Sequence, residues 1–400
     1  MRNEPGAPPD AGMIPLCVPV VRGNEWSYVK ECLDTGWVSS VGSYVDRFER
    51  ELAQRAGTSH AVATVNGTCA LHIALLVAGV QPDDEVLVST LTFIAPANAV
   101  RYAKAWPVFI DAEPDYWQMD PARVAEFLRE RCERRDGVLR NQRTGRRVKA
   151  IVPVHILGHP VDIDPILALA QEFGLTVIED ATESLGARYR GRNVGALGDL
   201  TCFSFNGNKI ITTGGGGMIT TANGEWATKA KYLTTQAKDD PLEYEHHEIG
   251  YNYRLTNLQA AMGCAQIEQL DAHIARKRET AHAYAEAFAE LPGITPLPHA
   301  PWAEGIDWMF TMRVNAAAFG MDSRALLHRL EAAKIQSRPL WQPMHRSPAH
   351  AGAEAVGGEV ADALCRECLS LPSSADITDE QRDRVIAAVR AAHPLATAAR

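Results

Sequence analysis

The chain has 400 residues, 46% of them hydrophobic and 22% charged, with a formal net charge of -9 at pH 7. This size and composition are typical of a globular protein with one large α/β domain and a smaller second one. The acidic balance argues against nucleic acid as a partner. No apolar run approaches the ~20 residues of a membrane helix, and the N-terminus lacks the pattern of an export signal. We therefore expect a cytoplasmic protein without a membrane partner.

Eight cysteines are scattered along the chain without the spacing of a disulfide framework. Cys365 and Cys368 form one CxxC pair, but neither a second pair nor a nearby histidine cluster completes a zinc site. Most of the cysteines lie in apolar segments and are interpreted as small buried hydrophobic residues. We expect no metal site.

The N-terminal part predicts a loose arm over 1–22 and two helices over 23–33 and 44–56. Between these helices lies the glycine- and serine-rich loop GWVSSVGSY. The loop either lines a site or merely connects the helices, and the pattern leaves both interpretations open.

From residue 60 onward, short apolar runs alternate with helical stretches. Strands are predicted over 61–65, 85–88, 107–111, 150–155, 176–179, 202–205 and 217–221. Helices are predicted between them over 68–78, 95–103, 121–132 and 164–173. Apolar strands separated by helices indicate a mostly parallel sheet that is buried on both faces. In such sheets, ligands bind beyond the carboxyl ends of the strands.

An arginine-rich segment, 131–149, precedes one of the predicted core strands. It contains the turn pairs Asp136-Gly137 and Thr144-Gly145, which predict a solvated hairpin. A contact between its arginines and a diphosphate is the functional alternative.

A long helical pattern over 266–291 ends at Pro292-Gly293 and is typical of a helix that links two domains. Beyond it, strands are predicted over 308–314 and 369–371, and helices over 323–333 and 378–393. We therefore expect three parts: the arm over 1–22, a large cofactor-binding domain over 23–265, and the linking helix with a small α+β domain over 266–400.

A single lysine, Lys209, lies between an aromatic strand and four glycines in the stretch TCFSFNGNKIITTGGGGMITT. A solvated lysine normally lies on an exposed helix face, whereas this one adjoins isoleucines and glycines that let a backbone approach a bound group closely. Burial disfavours the ammonium form and leaves the amine free to attack a carbonyl. The pattern indicates a Schiff-base lysine; taken alone, it also fits an ordinary lysine beside a glycine-rich turn.

Two features at strand ends fit a phosphate group. Gly67 and Thr68 join a predicted strand to a helix, where free N–H groups and the helix dipole favour an anion. Ser204 lies close enough to Lys209 to bind the same phosphate. In isolation, the first feature fits a plain strand-to-helix turn with Thr68 as a helix cap better than it fits a phosphate site.

Two further features fit a flat heterocyclic ring. Asp180 ends the strand over 176–179 and can hold a proton on a pyridine nitrogen, which makes the ring an electron sink. Phe93 follows Thr92 after another strand and offers an aromatic face for stacking. A helix cap and a core position are the structural alternatives, but the joint occurrence of the four features favours a cofactor site.

Five motifs occur in a fixed order: NGT (66–68), TF (92–93), EDA (179–181), SFxxxKxxTTGxGG (204–217) and GYNYRLTNLQAA (250–261). Together they resemble the DegT/DnrJ/StrS aminotransferases, over about residues 14–393. The resemblance implies the type I fold of aspartate aminotransferase, an α/β fold with a mostly parallel central sheet and a smaller C-terminal α+β domain. It also implies pyridoxal 5'-phosphate as the cofactor and nucleotide-linked keto sugars as substrates.

By this resemblance, Lys209 is the Schiff-base lysine and proton shuttle, and Asp180 is the partner of the pyridine nitrogen. Gly67, Thr68 and Ser204 hold the phosphate of the cofactor.

The resemblance assigns two more cofactor contacts. Phe93 stacks on the ring. Asn252, in the GYNYR segment, reaches the phosphate of the neighbouring subunit's cofactor. This last assignment implies a homodimer with shared active sites.

Two positions depart from the family pattern. Glu183 stands where many members have His or Gln three residues after the aspartate, and Asn206 stands in SFNGNK where many have SFHxxK. Both departures leave the core chemistry intact. They change the hydrogen bonding near the hydroxyl of the cofactor ring, where Glu183 is placed, and the hydrogen bonding near the sugar substrate. Arg338 and His345, in the segment SRPLWQPMH, are assigned to substrate contacts, with a surface or structural role as the alternative.

The implied reaction is a ping-pong transfer of the amino group of L-glutamate to the C4 ketone of a nucleotide-linked 4-keto-6-deoxy sugar. The segments SFNGNKIITT, SRPLWQPMH and LPSS most resemble the branch acting on UDP-linked 4-keto-6-deoxy-N-acetylglucosamine, on the routes to bacillosamine and legionaminic acid. The perosamine-forming branch, which uses a GDP-linked 4-keto-6-deoxymannose and also carries Glu at the position of Glu183, is the alternative.

Two other functions fit the same fold. A pyridoxamine-dependent sugar dehydratase is disfavoured because those enzymes replace the lysine that Lys209 represents. A non-catalytic regulator is disfavoured because the lysine, the aspartate and the phosphate loop are all present.

Overall fold

The computed structural model describes residues 12–240 and 242–393, so residues 1–11 of the predicted arm and 394–400 of the predicted small domain lie outside it. The strands are β1 (His60–Thr64), β2 (Glu85–Ser89), β3 (Trp106–Ile110), β4 (Cys132–Arg135), β5 (Val138–Asn141), β6 (Val148–Val152), β7 (Thr176–Asp180), β8 (Arg188–Tyr189), β9 (Arg192–Asn193), β10 (Leu200–Ser204), β11 (Gly217–Thr221), β12 (Ile294–Pro296), β13 (Ala303–Glu304), β14 (Thr311–Val314), β15 (Arg338–Pro339), β16 (Glu354–Val356) and β17 (Cys368–Ser370).

The helices number thirteen within the described residues, apart from three short 3-10 turns. They are α1 (Glu25–Thr35), α2 (Ser43–Ala56), α3 (Gly67–Val77), α4 (Ala95–Tyr102), α5 (Pro121–Glu130), α6 (Ile163–Phe173), α7 (Gly224–Thr234), α8 (Asn257–Ile267), α9 (Leu270–Phe288), α10 (Ala316–Phe319), α11 (Ser323–Ala332), α12 (Glu359–Glu367) and α13 (Asp379–Ala392).

Eight strands form the large sheet, in the order β1-β11-β10-β7-β6-β2-β3-β16. Strand β11 runs opposite to the other seven strands, so the predicted mostly parallel sheet is confirmed. One face of the large sheet is covered by α2, α5, α6 and α8, which share one apolar cluster with it. The other face is covered by α3, α4 and α7, which share a second apolar cluster with it. Burial on both faces explains why the central strands are apolar throughout.

A second sheet, in the order β12-β14-β17-β15, packs against α9, α11 and α13 around a third apolar cluster. This is the smaller α+β layer expected from the C-terminal sequence. The exact division at residue 265 stays a prediction. Strand β16 follows that position in the chain but pairs with β3 of the large sheet.

The arginine-rich segment forms the predicted hairpin from β4 and β5. Asp136 and Gly137 both have positive φ, 51° and 77°, as the tight turn of a two-residue hairpin requires. Arg143 forms an ion pair with Glu354, and Arg146 lies 3.8 Å from the buried Glu85. The arginine-rich segment therefore places these two arginines, which lie between β5 and β6, against carboxylates of the large sheet.

The predicted single helix over 266–291 is wrong at its start. A capping box between Thr256 and Gln259 begins α8, which the sequence analysis missed, and α9 begins only at Leu270. Ile267 and Leu270 lie on either side of the break and are buried in the same core. The apolar spacing therefore continues through a break that it does not reveal.

The predicted strand over 308–314 is shorter than expected. Its observed part, β14, begins at Thr311. The backbone N–H of Trp308 instead donates a hydrogen bond to the Leu157 carbonyl, on a loop beside the large sheet. This contact takes Trp308 out of the small sheet and toward the cavity described below.

No helix in the described part of the chain has both the length and the apolar composition needed to cross a bilayer. Over residues 12–240 and 242–393, no group of three or more His, Cys, Asp or Glu side chains is arranged to hold a metal ion. Cys365 and Cys368 are free thiols.

Candidate active site

A cavity of about 620 Å³ lies at the carboxyl edge of the large sheet. Its lining includes nine of the residues selected from the sequence: Gly67, Thr68, Phe93, Asp180, Glu183, Ser204, Asn206, Lys209 and Arg338. The parallel course of the strands brings these positions together, because the carboxyl ends of β1, β2, β7 and β10 lie at the same edge.

One end of the cavity is formed by the start of α3. Asn66 caps this helix through its side chain, which accepts a hydrogen bond from the Cys69 N–H. The N–H groups of a first helical turn have no partners within the helix, so they are free to bind an anion. A methyl group added at Gly67 would lie 2.8 Å from the Ser204 Cβ, which shows how closely the two segments approach.

The glycine run supports this end of the cavity. A methyl group added at Gly217 would lie 2.5 Å from the Asn66 carbonyl carbon and 2.7 Å from the Gly67 nitrogen. Gly215 lines the cavity, whereas the close approach at Gly217 is to the backbone of the α3 start. At Gly217, the glycine therefore allows backbone to approach backbone rather than a bound group.

Asp180 lies at the end of β7, as predicted, and is 2% exposed. Its Oδ1 accepts a hydrogen bond from the Thr182 N–H at 3.1 Å. Burial raises the pKa of the Asp180 carboxyl above its ordinary value, although the hydrogen bonds from Thr182 and the charge of Lys209 act in the opposite direction. A buried carboxylate of this kind is stabilised by a nearby cation.

The neighbouring Glu179 points to the other face of the strand and is fully paired. Its Oε2 accepts from His155 Nε2 at 2.9 Å, and its Oε1 accepts from the Thr201 hydroxyl and the Gly198 N–H. Burial alone would raise the pKa of Glu179, but the hydrogen bond from His155 and the other donors hold it below its ordinary value. Glu179 is thus a structural carboxylate, whereas Asp180 is left open toward the cavity.

The tautomer of His155 follows from its contacts. Nδ1 accepts a hydrogen bond from the Val161 N–H at 2.9 Å, so Nε2 carries the proton that it donates to Glu179. The backbone N–H of His155 also donates to the Asp180 carbonyl. His155 therefore fixes the end of β7 from which Asp180 projects.

Lys209 follows β10 in the loop before β11, and its side chain is 13% exposed. The Nζ lies 3.5 Å from Glu183 Oε1, and it lies 4.3 Å from the centre of the Trp308 ring. Glu183 is 6% exposed, and burial raises the pKa of its carboxyl while the charge of Lys209 lowers it. The predicted lysine therefore lies in the cavity between a carboxylate and an aromatic face.

Phe93, Asn206 and Arg338 line the outer part of the cavity. Phe93 is 56% exposed, so the alternative of a core position is wrong and its ring is free to contact a bound group. Asn206 and Arg338 are both exposed. One guanidinium nitrogen of Arg338 donates a hydrogen bond to the backbone carbonyl of Ser337.

Two selected residues lie away from this chain's cavity. The ring of His345 contacts the Thr90 hydroxyl at 2.8 Å through Nδ1 and lies 3.4 Å from Asp362 through Nε2. His345 is absent from the cavity lining, so the geometry favours the structural alternative for it. Asn252 is exposed and forms an isolated bridge with Thr235.

Part of the cavity wall comes from residues that were not predicted from the sequence. Thr182, Asn208, Trp308, Met309 and Trp341 also line the cavity. The position of Thr182, two residues after Asp180, is a signal that could have identified it. Trp308 and Trp341 come from segments far from the lysine motif in the chain, and no local pattern places them here. The loop GWVSSVGSY, for which the sequence allowed either a site wall or a plain connection, does not contribute to the lining of this cavity.

The residues present fit pyridoxal 5'-phosphate. A helix start and a serine provide donors for a phosphate, and Lys209 provides an amine that can reach an aldehyde. Among the described residues, Asp180 forms no ion pair of its own, so a protonated pyridine nitrogen would supply the cation that this buried carboxylate lacks.

Comparison with known proteins agrees with this geometry. The model of the DegT/DnrJ/EryC1/StrS aminotransferase family matches residues 19–390. The GDP-perosamine synthase of Caulobacter vibrioides is 41% identical over 381 residues, which cover 95% of this chain and 98% of that protein.

A second relative and one solved structure extend the comparison. The UDP-N-acetyl-3-dehydro-alpha-D-glucosamine 3-aminotransferase of Acidithiobacillus ferrooxidans is 34% identical over 353 residues, covering 88% of this chain and 89% of that protein. DesV of S. venezuelae, solved in complex with a ketimine intermediate, superposes with a TM-score of 0.82 at 32% identity, covering 92% of this chain and 93% of that chain.

The Gly67→Ala variant tests the phosphate end of the cavity. The added methyl group would collide with Ser204, so we expect the dissociation constant of pyridoxal 5'-phosphate to rise by about tenfold, in keeping with the cost of overpacking. Titration of the cofactor-free protein, followed by absorbance, measures this constant.

The matched control is Gly224→Ala, since Gly224 is also the first residue of an asparagine-capped helix and meets only the end of a histidine side chain. Unchanged affinity in Gly67→Ala, or equal loss in both variants, would contradict a phosphate site at the start of α3.

Proposed function

The chain belongs to the DegT/DnrJ/EryC1/StrS family of pyridoxal phosphate-dependent aminotransferases, and we propose that it moves the amino group of L-glutamate to the C4 ketone of a nucleotide-linked 4-keto-6-deoxy sugar. The observation that carries this proposal is the shared cavity of Lys209, Asp180 and the start of α3. We also propose that this reaction takes place in the cytoplasm, as expected from the sequence.

When bound, pyridoxal 5'-phosphate supplies an electron sink that stabilises negative charge on the carbon next to the transferred nitrogen. Lys209 would hold the cofactor through its Nζ, and the start of α3 with Ser204 would hold the phosphate. Asp180 would keep the proton on the pyridine nitrogen, because an ionised carboxylate in a buried site favours an adjacent cation.

Lys209 is also the residue proposed to move the proton. Its Nζ is the one lysine nitrogen in the cavity lining, so the same amine can remove a proton from the donor carbon and return one to the C4 carbon of the sugar. Glu183 Oε2 is occupied by the Leu157 N–H, and its Oε1 lies on the Lys209 side. Glu183 would therefore orient the amine and face the ring hydroxyl.

Three roles concern the ring and the sugar. Phe93 would stack on the cofactor ring, because its exposed face borders the cavity. Asn206 and Arg338 would contact the substrate at the cavity mouth, where an exposed guanidinium favours a diphosphate. His345 is not retained in this proposal, because its ring is engaged by Thr90 and Asp362.

For the nucleotide, the GDP-linked sugar is favoured over the UDP-linked sugar that the sequence motifs suggested. The perosamine synthase of Caulobacter vibrioides is 41% identical along almost its whole length, whereas the UDP-sugar relative is 34% identical. Glu183 and the GYNYR segment are also features of the perosamine-forming branch. We therefore propose GDP-4-keto-6-deoxymannose as the substrate, and UDP-linked 4-keto-6-deoxy-N-acetylglucosamine as the alternative.

A direct test incubates the cofactor-loaded protein and L-glutamate with each of the two keto sugars and follows the exchange of ketone for amine by mass. We expect kcat/KM for the GDP-linked sugar to exceed that for the UDP-linked sugar by at least about tenfold. Amination of the UDP-linked sugar alone would contradict the substrate, and amination of neither sugar would contradict the function.

Lys209→Ala should aminate neither sugar, since it lacks both the attachment point and the proton carrier. The matched variant Lys104→Ala, at an exposed position outside the cavity, should behave as wild type.

The proposed active unit is a homodimer in which Asn252 completes the partner's site. Several large apolar side chains are exposed on two segments: Trp26, Leu33, Trp37, Val41, Leu242, Tyr244 and Ile249. The second of these segments leads directly into GYNYR, which contains Asn252. Exposed apolar side chains at this density are typical of a protein interface.

Mixing two inactive variants tests this assembly. A heterodimer of Lys209→Ala and Asn252→Ala chains contains one site with both residues intact, so an equal mixture after subunit exchange should regain about a quarter of the wild-type activity. Gel filtration with light scattering measures the oligomeric state of each preparation.

No recovery in a mixture whose exchange is proved by differently tagged chains would show that Asn252 does not serve the partner's site. A monomer with full activity would contradict the dimer itself.

A further inference from the structure

Trp308 contacts the amine of Lys209. It lies between the small sheet and the large one and is 2% exposed, and the Lys209 Nζ lies over its ring, 4.3 Å from the ring centre. Glu183 Oε1 lies 3.5 Å from the same nitrogen. An aromatic face and a carboxylate both attract an ammonium group, so the two side chains define one resting position for the amine.

Trp308 is fixed by three hydrogen bonds to three different segments. Its indole N–H donates to the Asn208 carbonyl at 2.8 Å, directly before Lys209 in the chain. Its backbone N–H donates to the Leu157 carbonyl, and its carbonyl accepts from the buried Lys277 Nζ at 2.8 Å. The ring therefore has little freedom to leave the amine.

Leu157 joins the two partners of the amine. Its N–H donates to Glu183 Oε2 at 2.8 Å, while its carbonyl accepts from the Trp308 N–H at 3.1 Å. Leu157 has φ +60° and ψ 13°, a left-handed conformation that is disfavoured for a residue with a side chain. In this conformation, the Leu157 N–H points to Glu183 while the Leu157 carbonyl points to Trp308.

The next residue makes the close approach possible. A methyl group added at Gly158 would lie 2.7 Å from Ile306 Cγ1 and 2.9 Å from the Trp308 nitrogen. The segment that carries Trp308 is therefore seated directly on Gly158.

We infer that Trp308 is a positioning residue for Lys209, and that the Leu157 backbone sets Trp308 and Glu183 together around the amine. The inference rests on the proposed function, in which Lys209 must return to one place after each proton transfer. The ring of Trp308 contacts the returning amine of Lys209, and the carboxylate of Glu183 also contacts this amine.

Chemical labelling of Lys209 in the cofactor-free protein tests the inference without any sugar substrate. The reagent is trinitrobenzenesulfonate, and peptide mass spectrometry measures the rate at Lys209. Trp308→Leu should raise this rate by about tenfold, because the aromatic face no longer covers and holds the amine. Trp308→Phe keeps an aromatic face and should stay within about twofold of wild type.

The control for these variants is Trp302→Phe, since Trp302 packs on Tyr189 outside the cavity. Equal labelling of wild type and Trp308→Leu would overturn the inference, and so would equal acceleration in Trp308→Leu and Trp308→Phe. A wild type that aminates neither keto sugar would instead overturn the proposed function and leave the labelling result standing.

Gly158→Ala gives an independent test that leaves every cavity side chain unchanged. It should displace the Trp308 segment and accelerate labelling of Lys209 as Trp308→Leu does. Gly191→Ala is the matched control, because Gly191 also has a positive φ, 74°, but has no atom within 4 Å of the added methyl group. Wild-type labelling in a folded Gly158→Ala protein would contradict the seating of Trp308.

Discussion

The chemistry proposed for this chain depends on two buried carboxylates, Asp180 and Glu183, that share one cavity with a single lysine, Lys209. Burying a carboxylate is unfavourable unless donors or cations compensate it. Glu183 accepts a hydrogen bond from the Leu157 N–H and lies 3.5 Å from the Lys209 Nζ, whereas the Asp180 carboxylate accepts a hydrogen bond from Thr182 and forms no ion pair within the described residues. Because of this difference, Asp180 can accept a bound cation, whereas Glu183 contacts the amine of Lys209.

The parallel sheet makes such a costly arrangement possible. Strand β7 is paired with a strand on each side, and the His155–Glu179 hydrogen bond holds its end, so the backbone of Asp180 is fixed at this buried edge. The start of α3 lies at the same edge because β1 runs in the same direction. The segment before β14 then contributes Trp308, whose ring lies against the Lys209 amine. Rigid backbone thus places each group before any ligand arrives.

The strand ends could be read from the sequence because each one is a local pattern: an apolar run followed by a polar residue or a glycine. Lys209, Asp180 and Gly67 were found in this way, and the structure brings them together. Trp308 could not be found, because its place depends on a left-handed peptide at Leu157 in a distant loop. The break between α8 and α9 was also hidden, because the buried positions keep their helical spacing across it.

The most direct test of the account is the protonation state of the pyridine nitrogen when isotope-labelled pyridoxal 5'-phosphate is bound, read from its nitrogen chemical shift. We expect a protonated nitrogen in the wild type and an unprotonated one in Asp180→Asn, with Asp115→Asn as the exposed control. Bound cofactor is quantified in every sample, so that loss of binding is distinguished from loss of the proton. An unprotonated nitrogen in the wild type, or a proton that persists in Asp180→Asn, would contradict the central role given to this buried carboxylate.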